Sequence, residues 1–136
     1  MSTPVRLAAF GTRAGAWIID AVPHALVPFA VGRITDSVAF AVAAFLIVGI
    51  MWSILPEARA GATPGKLLTG LRTVRRGTVN PIGVGRATLR WVVKYPVCGV
   101  LPVGYLWYFR DPDRRAWHDL AAGSVVIDLV SADRPA

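Results

Sequence analysis

SVAFAVAAFLIVGIMWSIL, Ser37 to Leu55, runs for nineteen residues without one charge. Wound as a helix at about 1.5 Å per residue, such a stretch covers the hydrocarbon core of a bilayer. The rest of the chain has the same character. Hydrophobic residues make up 54% and charged residues 17% of the 136, against about 25% charged in an average soluble domain. The apolar residues come in blocks instead of one stripe per helix. This pattern predicts one all-α membrane domain over 1–136, with three to four transmembrane or re-entrant helices, and excludes an ordinary soluble enzyme core.

Upstream, Ala14 to Gly32 forms a second apolar block of similar length that carries Asp20, His24, Pro23 and Pro28. Acid and histidine on a membrane helix imply a face turned towards protein or water. Arg33 to Asp36 is short enough to join the two blocks as a helical hairpin. Downstream, Leu89 to Phe109 is a third block, interrupted by Arg90, Lys94, Pro96, Gly99, Pro102 and Gly104. An interfacial helix around Arg86 to Tyr95, followed by a re-entrant or short second segment, would bring the tail, 110–136, back to the side it started from.

Charge placement sets the orientation. Between Pro56 and Arg90, seven basic residues face one acid, Glu57, and Arg6 and Arg13 precede the first block. An excess of arginine and lysine in short loops marks the cytoplasmic side. The expectation is a multi-pass protein of the cell inner membrane, with its amino terminus, basic loop 56–88 and tail all inside. The net charge of +7 is accounted for by this arrangement, so no nucleic-acid partner is expected.

The basic loop is predicted to fold. Thr63 can cap a short helix, Pro64 suits its first position and Gly70 can end it. Leu71 to Arg75 and Thr78 to Val79 bracket Arg76-Gly77 as a small β-hairpin, and Ala121 to Val130 reads as a strand added to it. The glycine-rich stretch GATPGKLLTG, Gly61 to Gly70, is no phosphate-binding loop. Three residues instead of four separate Gly61 and Gly65, and Leu67 stands where a metal-binding hydroxyl would be needed.

Catalytic chemistry finds no foothold. His118-Asp119 lacks a nucleophile, since Ser124 lies in a strand-like run without a nucleophile elbow. Cys98 is alone, and no cysteine and histidine cluster offers a metal site. Neither cofactor nor metal is expected, and the chain is not expected to be an enzyme. Arg13, Trp17, Asp20 and His24, spaced four, three and four, share one helical face. Asp20, about two turns in from Arg13, needs a partner or a proton. Its structural and its transport or proton-relay readings weigh equally. His24 reads more readily as a packing residue, and the tryptophans and tyrosines near block ends read as an interfacial aromatic belt. With the tail inside, Asp119 can reach Arg13 or Lys66.

Three ordered motifs carry a resemblance. Arg13, Ala16 and Asp20 in RAGAWIID, Thr63, Gly65, Lys66, Gly70, Leu71, Arg72 and Val74 in TPGKLLTGLRTV, and Arg114, Arg115, His118, Asp119, Ala122, Gly123, Ser124 and Val126 in the tail resemble the RDD family of small integral membrane proteins. Pro64 and Ser124 replace the commoner leucine and threonine. The resemblance implies a transport role, cation/proton antiport being attributed to some members, with Arg13, Asp20 and Asp119 as the site. Gly65, Lys66, Arg114, Arg115 and His118 support it. The alternative is a non-transporting adaptor or assembly protein whose basic loop holds anionic lipid headgroups or a partner protein. Three or four segments enclose little space, so a homo-oligomer or a membrane partner is expected.

Overall fold

The computed structural model describes residues 6–130. A two-residue strand β1, Arg6–Leu7, leads into α1, Phe10–Thr35. The chain then turns through Asp36, in the left-handed region at φ 50°. Ser37, whose hydroxyl accepts from the Phe40 N–H, opens α2, Val38–Ala60. These two helices are long and apolar enough to cross a bilayer, and only 17% of the apolar window of each is buried within the chain. A soluble core helix would be mostly covered. Here Phe29, Ile34 and Val38 are 68%, 84% and 80% exposed, which suits lipid as the surroundings. Both helices outrun the expected blocks by several residues, and neither Pro23 nor Pro28 interrupts α1.

Within α2, Gly49–Ile54 forms a π-helical turn. The extra residue rotates Trp52 and Ser53 towards α1, and Gly49 lets the Trp91 ring lie against the backbone. Such insertions are common where a helix must aim particular side chains.

After Gly61 the loop folds as the short helix α3, Pro64–Leu68, with Thr63 as its cap and Pro64 at its first position. Gly70, at φ 70°, then redirects the chain into β2, Leu71–Arg75. The helix α4, Gly83–Val92, follows and continues as a π-helical turn over Val93–Val97 and one α-turn, Cys98–Val100. Leu101 and Pro102 break it before the turns Val103–Leu106 and Trp107–Phe109. The third apolar block is thus a folded-back segment. Among the described residues only α1 and α2 meet the length and hydropathy of a crossing helix. Prolines at 96 and 102 and the buried Lys94 account for the interruption. The helix α5, Trp117–Ala122, and the strand β3, Ser124–Asp128, complete the described chain.

The expected hairpin does not form. Thr78 and Val79 make a turn in which Arg75 N–H donates to the Asn80 carbonyl at 3.0 Å, and β2 pairs instead with β3, antiparallel, Leu71 opposite Asp128. β3 is the central strand, in the order β1-β3-β2. The reason is apolar content: Val125, Val126 and Ile127 are all buried, whereas Val79 is 63% exposed and offers β2 no partner surface. The sheet holds the start of the chain, the basic loop and the tail on one side of the long helices. The last six residues of the tail lie outside the described residues.

Candidate functional site

Of the 26 residues of α1, the buried ones are Ala16, Asp20 and His24, which is the face set by their four-residue spacing. Asp20 is 1% exposed and accepts three hydrogen bonds: Trp52 Nε1–H at 3.0 Å, the Thr63 hydroxyl at 2.5 Å and the Gly65 N–H at 2.9 Å. It therefore joins α1 to the π-turn of α2 and to the first turn of α3, where free backbone donors favour a carboxylate. Arg13 is not its partner. Gly65 is required by this closeness: a Cβ there would collide with the Ala16 carbonyl and sit 2.8 Å from the Asp20 carboxylate. Gly65→Ala should lower stability by on the order of 1–2 kcal/mol, overpacking against backbone outweighing alanine's better helix propensity. Gly15→Ala, where a Cβ meets nothing within 4 Å, should hold or raise the melting temperature. Thermal unfolding of both variants in detergent checks the contrast.

One turn on, His24 Nδ1 meets the Asp20 carbonyl at 2.8 Å, and Nε2 accepts from Trp91 Nε1–H at 3.2 Å. These partners fix the Nδ1–H tautomer. Tyr95 stacks on the ring at 4.4 Å between centroids, and Phe45 meets it edge-on. His24 is a packing residue with both nitrogens engaged.

Nearer the sheet, Arg13 pairs with Asp119 Oδ2 and donates to the Arg114 carbonyl at 2.8 Å. Asp119 Oδ2 also accepts the Ala116 N–H at 3.0 Å, closing the first turn of α5. Its other oxygen receives Arg90 through Nε at 3.0 Å and Nη2 at 2.5 Å, while Arg90 Nη1 reaches Glu57 Oε1 at 2.5 Å. Glu57 Oε1 also pairs with Lys66 Nζ, and the Thr73 hydroxyl lies 2.8 Å from Glu57 Oε1 and 2.6 Å from Lys66 Nζ. Every member from Arg90 to Lys66 is buried. A chain of alternating charge, Arg13, Asp119, Arg90, Glu57, Lys66, thus ties α1, α5, α4, α2 and α3 together.

Burial alone would raise the Asp119 carboxyl, but Arg13 and Arg90 hold it well below the usual carboxylate range. Burial pushes Lys66 down to about 7, Arg90 adding repulsion that Glu57 only partly offsets. His118 is held well below its ordinary value by burial, and it stays neutral with Nε2 3.5 Å from Asp119 and no hydrogen-bond partner for Nδ1 among the described residues.

The expected residues divide accordingly. Arg13 and Asp119 meet; Lys66 goes to Glu57 and not to Asp119; Asp20 forms its own cluster beside Gly65. Arg115 pairs with Asp111 at 2.8 Å and orders the 111–115 turn, and Arg114 contributes its carbonyl to Arg13. Sequence reasoning passed over Glu57 and Arg90 as site residues. The signal for Glu57 was its being the one acid among seven bases from Pro56 to Arg90.

Between α1 and the folded-back segment lies a cavity of about 490 Å3 bordered by groups from all three motifs: Arg13, Asp20, Lys66 and His118, with Arg90 and Lys94 beside them. Its volume lies in the range of small-molecule sites.

A family model described as the RDD family matches residues 7–123. No curated protein and no solved structure matches the chain.

Proposed function

The chain belongs to the RDD family, and we propose that it is an integral inner-membrane protein of transport type, a transporter or transporter subunit. The observation that carries this is the cavity, where side chains from all three motifs converge between a long apolar helix and a broken one. Irregular backbone and ionisable groups at membrane depth go together where a site must be solvated or occupied. Both long helices cross the bilayer in this reading. The sheet lies on the cytoplasmic side, because arginine crowds the sheet end while Arg33 stands alone in the α1–α2 turn.

In this reading the proton-exchanging group is Lys66, not Asp20. Asp20 already accepts three hydrogen bonds that tie α1 to α2 and α3, which suits a structural part. Lys66 loses its proton at about 7 and borders the cavity, and Glu57 keeps Arg90 when it does. Two long helices enclose little space, so a second copy or a membrane partner completes the path.

Reconstitution tests the reading. Proteoliposomes carrying the full chain and an enclosed pH dye should pass protons when a sodium or potassium gradient is imposed, and Lys66→Gln should abolish this while melting within a few degrees of wild type. Flux unchanged in Lys66→Gln, or no wild-type flux above empty liposomes, removes it. A second reading, a non-transporting adaptor on anionic lipid or a partner protein, is favoured by exposed Arg59, Arg75 and Arg114 around the sheet. Tight binding to anionic vesicles in the absence of flux would select it.

A further inference from the structure

Lys94 has no counterpart in the charge chain. It is 8% exposed, sits on the π-helical turn Val93–Val97 and borders the cavity. Among the described residues no carboxylate lies within ion-pair distance of its ammonium, and its described contact is the face of the Tyr95 ring, 5.2 Å from the centroid. Arg13, Lys66 and Arg90 each hold a carboxylate. With Lys66 protonated, four cations stand against three carboxylates, Asp20, Glu57 and Asp119, and Lys94 is the cation left without one. A buried ammonium has three N–H donors to satisfy and is retained without a protein acceptor at a cost.

The cavity is amphipathic by depth. Its charged border, Asp20, Lys66, Arg90, Lys94 and His118, is buried. Its apolar border is open: Phe10 and Trp17 are each 41% and Ile18 59% exposed, with Gly99 and Pro102 exposed on the facing segment. Ile18 and Trp17 lie on α1, which is apolar enough to face lipid. Polar floor and apolar rim together fit a molecule with one charged end and a hydrocarbon body.

We propose that the cavity seats an anionic amphiphile, its monoanionic phosphodiester or carboxylate head on Lys94 and its hydrocarbon chain leaving past Trp17 and Ile18. This rests on reading the cavity as a ligand site. With Lys66 protonated, the one cation left without a carboxylate matches a monoanion. A dianionic head would be left with one charge uncompensated beside Asp20. The site differs from the exposed arginines near the sheet, which meet headgroups from outside and offer no place for a chain.

Trp17 serves as the reporter. The full chain is placed in phosphatidylcholine nanodiscs and titrated with phosphatidylglycerol brominated on its acyl chains, and Trp17→Phe isolates the Trp17 signal. Saturable quenching at low mole fraction is expected, with Lys94→Gln raising the half-saturation point roughly tenfold, as loss of one charge-assisted contact implies, and Lys94→Arg retaining it. Lys94→Gln in lipid-free detergent should melt at or above the wild-type temperature, because it removes an unpaired buried charge. Equal quenching by brominated phosphatidylcholine, an unshifted half-saturation point in Lys94→Gln, or a lower melting temperature for that variant would overturn the proposal. Displacement by millimolar inorganic phosphate would assign the seat to a free anion and overturn the amphiphile. Lipid binding without proton flux sinks the transport reading alone, and flux without Lys94-dependent binding sinks this one.

Discussion

Asp119→Asn should destabilise the protein by on the order of 3–5 kcal/mol, the cost of stripping a buried charge of its partner. Asp119 is fully buried and serves two guanidinium groups and a backbone N–H at once. Asparagine keeps the volume and one acceptor oxygen but no charge. Arg13 and Arg90 cannot relieve the imbalance by losing protons. The expected result is a much lower melting temperature in detergent, or loss of the monodisperse peak on gel filtration, with little dependence on pH. Adding Arg13→Gln removes one of the stranded cations and should recover part of the loss, a coupling of about 0.5–3 kcal/mol. An Asp119→Asn protein that melts with wild type would show that the charge chain does not hold these helices together.

Glu57→Gln should cost less, about 1.5–3 kcal/mol, the value of charge-assisted hydrogen bonds to one carboxylate. Its partners differ in kind. Arg90 retains Asp119, and Lys66 can shed its proton. That makes this effect pH-dependent. Lys66 has a lowered value of about 7 against 10.5 for an ordinary lysine, so the fold disfavours its charge. The unfolded chain binds more protons between those values, and wild-type stability from this group rises with pH across that window. Below about 7 the penalty for the buried charge is present in full. In Glu57→Gln the attraction that kept the proton on is gone, so the rise moves to lower pH. The gap between the two proteins should be widest at the acid end, narrow as pH rises to about 7 and stay level from there to about pH 9. Melting temperatures over that range decide it, and a gap that widens with pH would contradict the assignment.

Much of this was legible in the sequence. Nineteen uncharged residues define a helix by solvent alone, and Thr63, Pro64 and Gly70 act through local backbone chemistry that needs no tertiary partner. The face of Arg13, Asp20 and His24 follows from helical period. What each residue on that face touches does not. Arg13 and Asp20 share a face, yet their partners come from α5 and from α2 and α3, because the π-turn of α2 re-aims Trp52 and the left-handed Gly61 positions Thr63. Strand pairing was hidden for a similar reason. A turn between Leu71 and Val79 is a local signal, but the pairing went to the distant β3, whose three consecutive buried residues cover more apolar surface. The prolines and charges of the third apolar block fit both a kinked crossing and a folded-back segment, and only the tally of basic residues in the tail favoured the second.

The central position of β3 has a consequence for how the protein is made. β1 and β2 touch β3 and not each other, and Arg13 lies 106 residues from the aspartate that neutralises it. During synthesis both long helices leave the ribosome before either strand has a partner. Arg13 must wait with its charge solvated until α5 arrives, and the edges of β1 and β2 stay unpaired until the chain has passed residue 128. Formation of the long helices and closure of the sheet are therefore separate events in time, joined by one late-arriving strand. A chain that ended between Ala87 and Ala116 would have the helical hairpin but neither α5 nor β3, leaving Arg13 without Asp119 and both strand edges unpaired.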